Sequence, residues 1–142
     1  MNKPLVSLRV ASVLTLIHAV IHTAGGVFGG VPPGSASVAA AAMKANEFLF
    51  MGSMRTYWEF HRGLGLMVGI FLAVEGILMW QLASLARTDG RRLRPMMATF
   101  LGGYLALAVN SYVYFFTVPI VFQAVIAGCI GVAIATANEK EA

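Results

Sequence analysis

Charge is what this chain has least of. Asp, Glu, Lys and Arg make up only 11% of its 142 residues, against roughly 25% in soluble domains. Apolar residues make up 58%, and the mean hydropathy is +0.78. That balance excludes both an ordinary soluble domain and a solvated disordered chain. Cysteine is scarcer still. Cys129 is the only one, so the chain forms no internal disulfide and supports no relay that needs two thiols. Acids number six against ten Lys and Arg, for a net charge of +4. The excess is concentrated in Arg87-Thr88-Asp89-Gly90-Arg91-Arg92-Leu93-Arg94. That run lies between two apolar segments, as the positive-inside rule expects of a membrane protein, and no nucleic-acid partner is expected.

Long apolar runs are what the chain has in quantity. Four segments, at about 5–23, 63–85, 95–116 and 119–137, are long enough to span the hydrocarbon core as helices. Lys3 and Arg9 open the first, the arginine cluster joins the second to the third, and Lys140 follows the fourth. All fall on one side when both termini are cytoplasmic. The expected architecture is an all-α, integral membrane four-helix bundle, N-in/C-in. It forms one transmembrane domain over residues 1–142, in the style of a bacterial inner-membrane protein. The basic start and apolar middle of the first segment also suit a signal peptide. His18 and His22 do not, because a cut after Ala24 leaves His22 where a small residue is wanted. The segment is read as a retained span.

The first outer loop has two parts. Gly25 to Gly34, with Pro32 and Pro33, is a helix-breaking stretch. Ser35 to Asn46 is rich in alanine and predicts a short helix capped by Ser35 or Ser37. Phe48, Phe50, Met51, Met54, Tyr57 and Trp58 then supply a headgroup-interface composition. The loop reads as a membrane-hugging connector or as a lid over an outward pocket.

Small and polar residues recur at helical spacing on each span: Ala11, Thr15, His18 and His22 on the first, and Gly65, Gly69 and Gly76 beside Glu75 on the second. On the third they are Gly102 or Gly103, Ala106, Asn110 and Tyr114, and on the fourth Gln123 or Ala124, Ala127, Gly131 and Ala135. Such stripes let membrane helices approach closely and are expected to face one another. They also leave room for a homodimer, through Gly65 and Gly69 for example. At about 1.5 Å per residue, His18, Asn110 and Gln123 fall roughly 6–8 Å outward of the centre, Glu75 near it and His22 roughly 12 Å outward. Tyr57-Trp58-Glu59-Phe60-His61-Arg62-Gly63 sits at the outer mouth. The polar groups thus descend from one side to mid-membrane, which suggests a pocket open outward or to lipid.

Glu75 and His18 are the expected acid–base pair, because an intramembrane acid marks function by default. His22, Trp58, Glu59, His61, Arg62, Asn110, Tyr114 and Gln123 are the expected ligand contacts. Plainer roles stand beside these: helix-to-helix hydrogen bonds for Glu75, His18, His22 and Asn110, an exposed helix pair for Glu59 and Arg62, and belt anchors for Tyr57 and Trp58. The site suits a hydrophobic small molecule entering from membrane lipid, such as an isoprenoid, sterol-like compound, quinone or lipid. Double-bond isomerisation at such a site needs no cofactor and no metal. With its helix count and its buried Glu, His, Trp and Asn, the chain resembles small bacterial membrane proteins of the DoxX-like and emopamil-binding (sterol isomerase, EXPERA-like) type. The resemblance is one of architecture and implies no residue roles. A proton-coupled transporter similar to the small multidrug-resistance proteins is an alternative, although their acid lies on the first helix. A haem or metal subunit using His18 or His22 with His61 is another.

Overall fold

The computed structural model describes residues Lys3–Ala137. Lys140 therefore lies outside the described residues. The elements are α1 (Lys3–Ile21), a π-helical turn (His22–Val27), α2 (Ser35–Ala45), β1 (Glu47–Phe50), β2 (Ser53–Thr56), α3 (Tyr57–Asp89), α4 (Arg94–Tyr114) and α5 (Thr117–Thr136). Four helical segments are long and apolar enough to cross a membrane: Lys3–Val27, Tyr57–Asp89, Arg94–Tyr114 and Thr117–Thr136. They correspond to the four expected spans. The chain divides into two compact units, residues 19–71 and the remainder.

The larger unit takes α1 as far as His18, α3 from Leu72, and all of α4 and α5. Its core is built from Leu8, Ala11, Met79, Leu82, Ala83, Ala86, Met97, Tyr104, Ile126, Ala127, Ile130 and Ala133. Alanine is frequent there, and small side chains let the helices approach closely enough for van der Waals contact and interhelical hydrogen bonds. α1 and α3 approach closely at Gly76, which is buried. Ser12 Oγ donates to Gly76 O at 2.6 Å, and a Cβ at Gly76 would meet Leu16 Cγ at 2.7 Å.

α4 departs from the expected facing. Its buried residues are Met97, Tyr104 and Ser111, a repeat of seven. Gly102, Gly103, Ala106, Asn110 and Tyr114 are all exposed on this chain. The small-residue stripe was read as the contact face, but volume does not decide which side a helix buries. The tyrosine hydroxyl has partners inside the unit (described below), and α4 turns that face inward. α5 buries Gln123, Ile126, Ala127, Ile130 and Ala133, while Ala124 and Ala135 are exposed.

The smaller unit contains the segment that joins α1 to α3. The π-turn closes with Phe28 N–H donating to Thr23 O at 3.1 Å, a five-residue step. Gly29 permits it, since a Cβ there would collide with Gly25 O. α2 covers the expected short helix. Gly34 (φ 95°) stands at its N-cap, and Ser37 Oγ donates back to Gly34 O at 2.7 Å. The run read as interfacial chain is a hairpin. β1 and β2 pair antiparallel, Phe50 opposite Ser53, across a two-residue turn with Met51 at φ 49° and Gly52 at φ 83°. Positive φ at both centres is the type I′ condition, usually met by Asn-Gly, so Met-Gly concealed the turn.

α3 begins six residues before the expected 63 because Thr56 and Glu59 form a capping box. Thr56 N–H donates to Glu59 Oε2 at 2.9 Å and Glu59 N–H donates to Thr56 Oγ1 at 3.1 Å, which satisfies two orphan donors of the first turn. Gly65 and Gly69 serve packing within the unit. A Cβ at Gly65 would meet Val27 Cγ2 at 2.9 Å, and one at Gly69 would collide with Thr23 Oγ1.

The Gly76 contact predicts that Gly76→Val destabilises the protein by about 1–3 kcal/mol through overpacking. Adding Leu16→Ala should restore part of that loss. Thermal unfolding in detergent, followed by circular dichroism, measures both. Additive losses in the double variant would show that the two residues do not share this contact.

Candidate functional site

The larger unit holds a line of oxygens inside an apolar core. Thr15 Oγ1 donates to Ala11 O at 2.9 Å, a bond back along its own helix. The same oxygen lies 2.9 Å from Tyr104 Oη, and Tyr104 O–H donates to Glu75 Oε2 at 3.1 Å. Thr15 is fully buried, Tyr104 nearly so, and Glu75 is half-buried. The sequence places these groups together simply. Thr15 lies between Ser12 and Leu16, and Glu75 precedes Gly76. The contact that draws α1 to α3 therefore brings the threonine and the carboxyl to one level, and Tyr104 of α4 bridges them.

The proton count of this line sets what it can do. Three oxygen–oxygen contacts need three hydrogens, and the two hydroxyls supply two. With the carboxyl ionised, Tyr104 donates to it and the single Thr15 hydrogen must serve both Tyr104 and Ala11 O. With the carboxyl protonated, Glu75 donates to Tyr104, Tyr104 to Thr15 and Thr15 to Ala11 O, and all three contacts are filled. A proton gained or lost at Glu75 therefore turns the Tyr104 hydroxyl from one neighbour to the other.

Two more expected residues lie in this unit. His18 is 7% exposed, and its ring stacks on Phe122 at 5.0 Å between centroids, 19° from parallel. Gln123, next to Phe122 on α5, is 5% exposed, and its Oε1 has no hydrogen-bond partner. A buried amide oxygen left unmatched is costly and unusual. Asn110 and Tyr114 belong to the exposed face of α4 instead.

The remaining candidates lie in the smaller unit. His22 Nε2 is 2.9 Å from Gly65 O. Lys44 Nζ stands 4.8 Å over the Trp58 ring, and Trp58 packs against His61 at 6.0 Å. Arg62 lies 5.0 Å over Phe28, and Glu59 is taken up by the capping box. Among the described residues no group of three or more His, Cys, Asp or Glu is placed to hold a metal ion. Sequence reading missed Tyr104 and passed over Thr15 as a helix-face residue. The available signal was a tyrosine seven residues from both Met97 and Ser111 in an otherwise apolar helix, whose hydroxyl must find a partner when buried.

Comparison of the chain with protein-family models, with curated proteins and with solved structures gives no match. The functional reading rests on this geometry alone.

Tyr104→Phe removes the hydroxyl common to two contacts and should cost about 0.6–1.7 kcal/mol, the range for interhelical hydrogen bonds in membrane proteins. Thr15→Val should cost less, because Tyr104 keeps Glu75. Denaturant unfolding in mixed micelles ranks the two. The reverse order would show that the tyrosine is not the hub of the line.

Proposed function

We propose that this is a four-span membrane protein, with both ends in the cytoplasm of a bacterial-type cell, that binds a hydrophobic small molecule carrying a hydrogen-bonding group. Isoprenoid alcohols, sterol-like compounds and quinones have that chemistry. The observation that carries the reading is the Thr15–Tyr104–Glu75 line, a proton-exchanging array packed among Leu, Ile, Met and Ala side chains. Polar groups at membrane depth are expensive and are kept for use. Gln123 Oε1 adds an acceptor for a ligand hydroxyl, and His18 over Phe122 adds an aromatic wall. Acid–base isomerisation of a double bond fits the same groups. Glu75 delivers a proton to one carbon, His18 removes one from another, and the proton then passes from His18 back to the carboxylate, so no redox partner is needed.

Glu75→Gln retains shape and a donor toward Tyr104 but removes the exchangeable proton. The variant should insert and fold, yet binding of a ubiquinone analogue, farnesol or a sterol should lose its dependence on pH. Binding isotherms in nanodiscs at several pH values test this, with His18→Ala as companion. Identical pH profiles for wild type and Glu75→Gln would reduce Glu75 to packing.

Orientation is tested separately. In a Cys129→Ser background, a cysteine placed at Gly34 should react with an impermeant reagent from outside intact cells, and a reporter fused after Ala142 should be cytoplasmic. Labelling of position 34 only after the inner face is opened would invert the topology.

A further inference from the structure

β1 and β2 form a hairpin whose polarity runs the wrong way for a loop standing in water. Its base is polar, with Asn46, Glu47, Thr56 and Glu59, and the backbone N–H of Tyr57 donates to Asn46 O at 3.2 Å. From Phe48 to Met54, by contrast, no residue is charged. Leu49 and Met54 are paired across the ladder, so their side chains lie on one face of the hairpin. They are 68% and 52% exposed, and Met51 at the turn is 90% exposed. Met51 holds a φ of 49°, where Asn or Asp is the ordinary choice. Contiguous exposed apolar residues of this kind mark an interaction surface.

The hairpin also lies along α3 instead of standing off from it. Phe48 stacks on Tyr57 at 4.6 Å and meets Phe60 edge-on at 5.6 Å. Phe50, two residues nearer the turn, meets the same Phe60 at 6.0 Å. A hairpin directed away from the helix would carry Phe50 about 7 Å further from Phe60 than Phe48. β1 and α3 therefore run the same way, and the Met51-Gly52 turn points along α3 toward its apolar run. Phe60 shares its helix face with Leu64, Met67 and Val68, all exposed. The tip is thus continuous with an apolar stripe of that span.

We propose that this hairpin dips its tip into the bilayer, with Leu49, Met51 and Met54 among the acyl chains of the leaflet that the N-terminal end of α3 crosses. The tip reaches lipid only if α3 spans the membrane as proposed above, and it does so with either orientation of the chain. Tyr57 lies about 9 Å before the hydrocarbon edge expected at residue 63, at 1.5 Å per residue. The strand from Glu47 to Phe50 carries the turn about 14 Å back along the helix. The tip therefore passes that edge by roughly 5 Å, a depth at which amphipathic elements settle. Glu47 and Glu59 stay among the headgroups, and Arg55, opposite Phe48, belongs to the same polar half. Tyr57 and Trp58 then stand at the level where aromatic side chains favour the interface.

Spin labels on the full chain in phosphatidylcholine nanodiscs test the depth. Single cysteines replace Met51, Glu47 or Phe71 in the Cys129→Ser background. Each attached nitroxide is read by its relaxation with oxygen, which concentrates in lipid, and with a water-soluble nickel chelate. Phe71, exposed on α3, reports the membrane placement itself. The Met51→Cys label should be relaxed several times more strongly by oxygen than by the chelate, as at Phe71→Cys, and Glu47→Cys should show the reverse preference. Adding Leu49→Asp and Met54→Asp should lift the tip out and raise chelate access at Met51→Cys to the level at Glu47→Cys, with Phe71→Cys unchanged. Chelate access at Met51→Cys with none at Phe71→Cys overturns the proposal and leaves the membrane placement standing. Chelate access at both removes the membrane placement, and the proposal with it. A Met51→Cys label screened from both reagents would set the tip against protein, a second copy or another partner, and overturns it too.

Discussion

The hydrogen bond from Ser12 to the carbonyl of Gly76 is the contact on which the larger unit depends. It forms because residue 76 has no side chain to hold α1 away, and because a serine hydroxyl among apolar residues has strong reason to find an acceptor. Close approach and polar complementarity together decide which faces of α1 and α3 meet there. One turn along α1 from that bond lies Thr15, and one residue before Gly76 lies Glu75. One turn the other way lie Arg9 and Trp80. The Thr15–Tyr104–Glu75 line and the stacking of Arg9 on Trp80 both follow from that register.

The oxygen line behaves differently from a set of independent bonds. Each hydroxyl donates once, so the proton on the carboxyl decides which neighbour Tyr104 donates to. A ligand that donates to Glu75 or accepts from it changes the state of Tyr104 and Thr15 together. A lone glutamate hydrogen-bonded to a carbonyl would lack this coupling. The difference lies in Tyr104, which belongs to a third helix.

The smaller unit solves another problem, that of ending and restarting helices without leaving backbone groups unpaired. The π-turn uses glycine to widen α1, the Met51-Gly52 turn reverses the strand pair, and the capping box starts α3. Phe48 stacks on Tyr57 at 4.6 Å and meets Phe60 edge-on at 5.6 Å. The aromatic residues of this segment thus have partners of their own, beyond any they find in an interface.

Sequence alone determined the four apolar helices, the short alanine-rich helix of the segment that joins α1 to α3, and the concentration of cations in the joint between the second and third spans. Those features depend on composition and period, which are local. The box Thr56-x-x-Glu59 is local as well, but the apolar run bounds the helix at 63, and the start of α3 at Tyr57 came from the structure. Tertiary structure decided the rest. The facing of α4 could not be read because small residues and a buried tyrosine compete for the same interface. The tyrosine wins only when Thr15 and Glu75 stand opposite it, and that is known only once α1 and α3 are in register. The hairpin was hidden because the propensity of Met51 for a positive φ is poor and strand pairing with Ser53–Thr56 supplies what local preference does not. The Arg9–Trp80 stacking was hidden for the same reason: the two lie far apart in the chain, and only the antiparallel pairing of α1 and α3 at Gly76 brings them together.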